Sequence, residues 1–152
     1  MDTLLPLADA AGARLKARGE TIAVAESSAG GLIAAALLAL PGASAYFLGG
    51  VVAYTVPSRL QLLGMAREEI VRSSEQSALF LARAARARLD ATWGLSETGA
   101  AGPTGPAGRA FVAVSGPVEI ALSIETGLVD RAANMRAFAR EALALLDRAL
   151  QA

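Results

Sequence analysis

The residue types that could do chemistry in this chain are limited by what it lacks. It contains no histidine and no cysteine, so Ser-His-Asp catalysis, a thiolate nucleophile and histidine-ligated zinc are excluded within it. Its 14 basic residues comprise a single lysine, Lys16, and thirteen arginines, and arginine stays charged and cannot act as a base. Catalysis would therefore rest on hydroxyl groups, buried carboxylates and fixed arginine charges.

The first segment that could bind a ligand is Glu-Ser-Ser-Ala-Gly-Gly at residues 26–31. It follows a short apolar run and precedes an apolar helix, where free backbone N–H groups and the helix dipole favour an anion. Gly30 and Gly31 would let a ligand approach the backbone closely, and Ser27 and Ser28 add hydroxyl donors. The alternative interpretation is an ordinary helix cap, because serine is common at that position and the P-loop lysine is missing.

A second candidate segment, Thr-Gly-Ala-Ala-Gly-Pro-Thr-Gly at residues 98–105, leaves the carboxyl end of a predicted strand. Open α/β sheets bind ligands beyond those strand ends. The stretch of residues 98–108 is also rich in glycine and proline, and it is long enough to suggest a functional loop. Taken alone, an ordinary flexible connection explains it equally well.

A tyrosine and two arginines form a third group of candidates. Tyr54 lies near the end of a predicted strand, where it could pack in the core with its hydroxyl satisfied or face a site as an acid or base. Arg59 and Arg131 are fixed positive charges suited to a phosphate or a carboxylate. Most arginines are solvated surface residues, so these matter only if the loops converge.

Apolar periodicity and glycine or proline breaks predict the elements that must position these groups. Helical patterns alternate with short apolar runs, and two adjacent alternating segments precede the final helix. This order favours a three-layer α/β/α fold with a mixed β-sheet, formed as a single domain over residues 1–152. The predicted helices are 2–18, 32–40, 57–64, 66–72, 74–89 and 129–150, and the predicted strands are 21–25, 47–55, 91–96, 109–115 and 118–126.

Charge and hydropathy narrow the class of partner. The 14 basic and 14 acidic residues balance, which argues against general binding to nucleic acid or to a membrane surface. The longest apolar run, residues 32–40, is about half the length that spans a bilayer, and the first residues do not have the pattern of a signal peptide. We therefore expect a cytoplasmic protein that binds neither nucleic acid nor a membrane, and we assign no metal ligands.

Five segments, in order along the chain, resemble the C-terminal domain of the CinA (competence/damage-inducible protein) family. Residues 21–32 resemble a segment containing that family's Ala-Glu-Ser-Cys-Thr-Gly-Gly motif, and residues 98–103 resemble its Thr/Ser-Gly-Ile-Ala-Gly-Pro loop. The resemblance implies hydrolysis of the carboxamide of nicotinamide mononucleotide to nicotinate mononucleotide and ammonia, without a cofactor, by a homo-oligomer such as a dimer. The other three segments are 41–47, 50–55 and 130–136.

The resemblance also implies which residues form the site. Ser44 or Ser27 would be the nucleophile, with Ser44 favoured, and Tyr54 and Arg59 would complete the catalytic group. The residues implied to bind the nucleotide substrate are Glu26, Ser28, Gly30, Gly31, Thr98, Gly99, Ala101, Gly102 and Arg131.

One departure from the family pattern affects the chemistry. Where the family reads Tyr-Ser-Asn-x-x-Lys, this chain has Arg59 in place of the lysine that serves in acid–base work. A Tyr54 phenolate, or Glu26 or Glu97 if buried, would have to replace it. Two hypotheses stay open: an amidohydrolase with altered acid–base chemistry, and a weak or inactive family member that binds a nucleotide-like ligand or a protein partner.

Overall fold

The computed structural model describes residues 1–152. None of its helices is both long enough and apolar enough to cross a membrane. In chain order the elements are α1 (Leu5–Arg18), β1 (Ile22–Glu26), α2 (Leu32–Leu38), a 3₁₀ turn (Ala43–Ala45), β2 (Phe47–Val52), α3 (Val56–Gln61), a second 3₁₀ turn (Arg67–Glu69), α4 (Glu75–Leu89), β3 (Trp93–Ala100), β4 (Arg109–Ser115), β5 (Glu119–Glu125) and α5 (Arg131–Gln151).

The five strands form one mixed sheet in the order β2-β1-β3-β4-β5. β1 pairs in parallel with both β2 and β3, whereas β4 and β5 continue the sheet as antiparallel strands. Because β1, β2 and β3 run in the same direction, their carboxyl ends meet at one edge, which we call the carboxyl edge. Ligands of open α/β sheets bind at such an edge.

Apolar side chains from both faces of the sheet pack against helices. The larger cluster joins Leu15 of α1, Ile33 of α2 and Leu143 of α5 to the sheet. On the other face, α4 packs against the sheet through residues such as Leu81 and Ala82. The predicted three-layer α/β/α fold with a mixed sheet is therefore confirmed. All five positions of β1 are buried because it lies inside the sheet between two covered faces.

The structure corrects several predicted boundaries. Thr98 and Gly99, which we predicted in a loop, belong to β3 and pair with Phe111 and Ala110 of β4. The strand can continue there because glycine has no side chain to obstruct β4. A Cβ on Gly99 would lie only 2.5 Å from the Arg109 carbonyl oxygen, which is closer than such atoms can approach. Antiparallel pairing with β4 thus overrides the loop signal of the glycines. The predicted helix at 66–72 is only the 3₁₀ turn Arg67–Glu69, and the strand predicted over 47–55 ends at Val52.

Candidate functional site at the carboxyl edge

Most of the predicted site residues converge at the carboxyl edge of the sheet. The loop that begins at Ser27 follows β1, Tyr54 follows β2, and Thr98 lies near the end of β3. Arg131, at the start of α5, ties two of these segments together. Its guanidinium donates one hydrogen bond to the Gly102 carbonyl oxygen and another, of 3.0 Å, to the Tyr54 hydroxyl. The arginine therefore bridges the segments that follow β2 and β3.

Arg59 lies half-buried on the side of the sheet that α4 covers. Its Nε donates to the Ala53 carbonyl oxygen at 3.0 Å, and its Nη2 donates to Thr98 Oγ1 at 3.2 Å. The Ser73 hydroxyl lies 3.1 Å from the same Thr98 oxygen. Burial lowers the pKa of Arg59, while the charge of Glu97 raises it. Arginine nevertheless remains a cation under ordinary conditions, so the site holds a fixed positive charge against Thr98.

The carboxylate of Glu26 caps the start of α2. It accepts hydrogen bonds from the backbone N–H groups of Gly31 (3.1 Å), Ile33 (3.0 Å) and Ala34 (2.8 Å). Burial raises the pKa of Glu26, and the hydrogen bonds from Ala34, Ile33 and Gly31 lower it in part. Both oxygens of this carboxylate are thus engaged in holding the loop onto the helix.

Glu97 of β3 also binds this loop. Its Oε2 accepts hydrogen bonds from the backbone N–H groups of Ser27 (3.1 Å) and Ala29 (2.7 Å), whereas its Oε1 has no partner. The side chain is fully buried. Burial raises the pKa of Glu97 to about 7, against the backbone hydrogen bonds that lower it, and the nearby Glu26 charge adds to the rise. The unpaired Oε1 is a proton acceptor that titrates near neutrality.

These two carboxylates change the interpretation of the glycine-rich loop. Of the two interpretations of this loop, anion binding would need free backbone N–H groups, but Glu26 and Glu97 already accept hydrogen bonds from five of them. Gly30 N–H donates instead to the Ser27 carbonyl oxygen at 3.1 Å. Ser28 is also engaged, because its hydroxyl donates to the Gly99 carbonyl oxygen at 2.6 Å. The backbone N–H groups of this loop are therefore not free to form an anion-binding site.

Ser44 is the one predicted catalytic residue that the structure does not bring to the carboxyl edge. It lies exposed in the 3₁₀ turn Ala43–Ala45 that precedes β2. The six residues of β2 separate it from Tyr54, a span of about 20 Å at roughly 3.3 Å per residue. Ser44 therefore lies at the opposite edge of the sheet from Ser27, Thr98 and Arg131.

Two further residues support the site and were missed by sequence analysis. Ser73 precedes α4 and contacts Thr98, as described above. Asn134, fully buried on α5, donates from Nδ2 to the carbonyl oxygens of Ala101 (2.9 Å) and Leu128 (3.0 Å). A polar side chain within the buried face of an amphipathic helix is the only signal that would have pointed to Asn134.

Replacing Glu26 by Gln should destabilise the fold. A glutamine can match the geometry, but its amide nitrogen would face a backbone N–H group, so at least one buried donor would lose its partner. We expect the free energy of unfolding to fall by about 2 kcal/mol, measured by urea denaturation. Glu68→Gln, at an exposed position, is the matched control and should change it by less than about 0.5 kcal/mol. Equal effects of both substitutions would contradict the capping role of Glu26.

Comparison with known proteins identifies related chains. The sequence pattern of the CinA C-terminal domain matches residues 4–150. A CinA-like protein from Anaeromyxobacter dehalogenans is 41% identical over 153 residues, covering 95% of this chain and 38% of that protein. A CinA-like protein from Gloeobacter violaceus is 42% identical over 134 residues, covering 80% of this chain and 32% of that protein. The chain thus spans about a third of the length of these curated relatives.

Solved structures share the fold over nearly the whole chain. The competence/damage inducible protein CihA from Agrobacterium tumefaciens superposes with a TM-score of 0.90 at 31% identity, covering 99% of this chain and 96% of that chain. A competence-damaged protein (CinA) superfamily protein from Escherichia coli superposes with a TM-score of 0.88 at 29% identity, covering 97% and 91%. The three-layer fold and its mixed sheet are therefore shared with both structures.

Proposed function

The chain belongs to the CinA C-terminal domain family, and from that premise we propose that it hydrolyses the carboxamide of nicotinamide mononucleotide, releasing ammonia. One observation supports this most directly. A buried carboxyl with a pKa of about 7, Glu97, has an unpaired oxygen and binds the backbone of a serine, Ser27, through its other oxygen. General bases work best when their pKa lies near the operating pH.

In the proposed reaction, Ser27 is the nucleophile and Glu97 moves the proton. The Ser27 hydroxyl oxygen attacks the carboxamide carbon while Glu97 takes the hydroxyl proton. The tetrahedral adduct then expels the amide nitrogen, which leaves as ammonia with the proton from Glu97. A water molecule, deprotonated by Glu97, then attacks the resulting ester. Glu97 returns that proton to the departing Ser27 oxygen, which releases nicotinate mononucleotide and restores both residues.

Arg59 has the role of stabilising negative charge. The loop amides are engaged by Glu26 and Glu97, so they do not provide the oxyanion contacts that backbone N–H groups often supply. The Arg59 guanidinium, held against Thr98 at 3.2 Å, is a fixed positive charge near Glu97, whose carboxylate raises the pKa of the arginine. In this proposal it stabilises the oxyanion of the tetrahedral adduct.

The test of the proposed function is ammonia release from nicotinamide mononucleotide by the purified protein. We expect stoichiometric formation of ammonia and nicotinate mononucleotide, followed by a coupled ammonia assay and by chromatography of the nucleotide product. Absence of both products, in protein that still binds nicotinamide mononucleotide by calorimetry, would overturn the proposal and leave a binding protein.

That second function, binding without catalysis, is favoured by a specific observation. The chain lacks the lysine of the family motif and has Arg59 in its place. In addition, backbone N–H groups of the glycine-rich loop and of the helix start donate hydrogen bonds to the carboxylates of Glu97 and Glu26. Such a site would bind a nucleotide-like ligand or a protein partner and leave it unchanged. The same assay separates the two candidates, because only the hydrolase forms ammonia.

Replacing Arg59 by Lys should raise the rate of ammonia release about tenfold or more. A lysine keeps a positive charge when protonated, and burial can also lower its pKa until it accepts a proton, which arginine does not do. The initial rate with nicotinamide mononucleotide is the measurement. Arg59→Gln is the control that removes the charge, and it should lower the rate. Wild-type rates in both the lysine and the glutamine variant would show that position 59 takes no part in the reaction.

A further inference from the structure

A cavity of about 620 Å³ opens next to the proposed catalytic residues, on the side of the sheet that α4 covers. Its size lies within the range of about 300–1,000 Å³ that is usual for small-molecule sites. It lies between the segment that precedes α4 and the adjoining ends of β3 and β4. Its lining includes Arg72, Ser73, Ser74, Gly99, Arg109 and Phe111.

The polar lining of this cavity is positive. Arg72 and Arg109 are its charged residues, and no carboxylate lines it. Arg72 forms no ion pair, and Arg109 has only a 3.9 Å contact with Glu125 in which both side chains are more than half exposed. Glu75, at the start of α4, accepts a hydrogen bond from Ser123 at 2.8 Å and does not line the cavity. Both guanidinium groups are therefore available to an anion.

The lining also contains an aromatic ring and hydroxyl groups. The Arg109 guanidinium lies 5.7 Å from the centre of the Phe111 ring, a cation–π distance that favours a position of the arginine over that ring. Ser73 and Ser74 contribute hydroxyl groups. Two guanidinium groups with nearby hydroxyls match the oxygens of a phosphate dianion better than they match a neutral ligand.

The cavity is connected to the proposed reaction centre by direct contacts. Ser73, in its wall, lies 3.1 Å from Thr98 Oγ1, to which Arg59 also donates. Gly99, also in its wall, accepts the hydrogen bond of Ser28 through its carbonyl oxygen. A ligand with one end in this cavity can therefore extend along β3 towards Thr98 and the loop after β1.

We propose that this cavity binds the phosphate of a nucleoside monophosphate through Arg72 and Arg109. The backbone amides of the glycine-rich loop, for which anion binding was one of two interpretations, then have the structural role that their internal hydrogen bonds indicate. The inference rests on the proposed function only for the other end of the ligand, where the carboxamide would meet Ser27. Recognition of the phosphate itself requires no catalysis.

Calorimetry with AMP and adenosine tests this inference without any hydrolysable amide. AMP should bind the wild-type protein more tightly than adenosine, and Arg72→Gln and Arg109→Gln should each weaken AMP binding about 10- to 100-fold. Adenosine binding should stay unchanged in both variants. Arg140→Gln, on an exposed part of α5 away from the cavity, is the matched control. Circular dichroism verifies that each exposed-site variant remains folded.

The outcomes separate this inference from the proposed function. Equal affinities for AMP and adenosine, no binding of AMP, or AMP binding that neither arginine substitution weakens would each overturn the phosphate site, whatever the ammonia assay shows. Arginine-dependent AMP binding in a protein that releases no ammonia would support the phosphate site and overturn the hydrolase. In an active protein, Arg72→Gln should raise the KM for nicotinamide mononucleotide and leave the rate with nicotinamide riboside unchanged.

Discussion

Glu97→Gln should lower the rate of ammonia release about 10²- to 10⁴-fold, the range expected when a general base is lost. The glutamine oxygen can still accept the hydrogen bonds of Ser27 and Ala29, so the loop should keep its place. The amide nitrogen that replaces the unpaired Oε1 cannot accept a proton. The substitution therefore separates the proposed proton transfer from the structural role of the side chain.

The same substitution should change how stability depends on pH. The pKa of Glu97 is raised from 4.5 to about 7 in the folded protein, so its contribution to stability is fully present below about pH 4.5 and is lost as the pH rises through 7. The shift corresponds to about 3 kcal/mol at alkaline pH, at roughly 1.4 kcal/mol per pKa unit. Glutamine does not titrate, so the variant should gain stability relative to wild type between pH 5 and pH 8.

Urea denaturation of both proteins at pH 5 and pH 8 measures this difference. Two neighbouring charges affect the size of the change, because Glu26 repels the Glu97 carboxylate and Arg59 attracts it. A Glu68→Gln control, far from these groups on the exposed 3₁₀ turn, should show the wild-type pH dependence. If Glu97→Gln and wild type show the same pH dependence, Glu97 does not titrate near neutrality.

The rate should follow the same ionisation. Only the carboxylate form of Glu97 can take the Ser27 proton, so ammonia release by the wild type should rise with pH through about 7. The residual rate of Glu97→Gln should lack that rise. A wild-type rate that is constant between pH 6 and pH 8 would exclude Glu97 as the base.

Sequence patterns were sufficient to predict the layers of the fold. Short apolar runs such as residues 21–25 and the amphipathic final helix have distinct periodicities, which depend on neighbouring residues only. Convergence of Ser27, Tyr54 and Thr98 was left open by the sequence, and the structure produces it because the ends of parallel strands meet at one edge. The boundary error at Gly99 arose because pairing with β4, a contact between distant parts of the chain, decided its conformation.

The partners of the glycine-rich loop could not be predicted in the same way. The carboxylate that holds Ser27 and Ala29 is about 70 residues away along the chain, and no local pattern around residues 26–31 indicates it. A predicted helix start offers free N–H groups only if no internal acceptor reaches them. The local pattern therefore predicts where the loop lies and leaves open what its amides bind.

Ser44 illustrates a different limit, because its position depends on the direction in which β2 runs in the sheet. A residue that precedes a parallel strand lies at the amino end of the sheet, and Ser44 precedes β2. Family resemblance matched the residue type at this position and carried no information on distance. The geometry therefore makes Ser27 the nucleophile in our proposal.

Ser27→Ala should accordingly lower ammonia release by at least about 10³-fold, since loss of a serine nucleophile removes the covalent step. Ser44→Ala, an equal change in composition at the opposite edge of the sheet, should leave the rate within about twofold of wild type. Both rates are measured at saturating nicotinamide mononucleotide, with the free energy of unfolding as a control for folding. Mass spectrometry of the protein during turnover should detect an acyl adduct in wild type and in Ser44→Ala only.

The opposite result would have a specific structural meaning. If Ser44→Ala abolished activity and Ser27→Ala did not, one chain could not contain the whole site, because Ser44 and Arg59 lie at opposite edges of the sheet. A second copy of the chain would then have to bring its own serine to the carboxyl edge, and activity would fall on dilution below the dimer dissociation constant. Activity independent of protein concentration, together with loss in Ser27→Ala, is the result that a site within one chain requires.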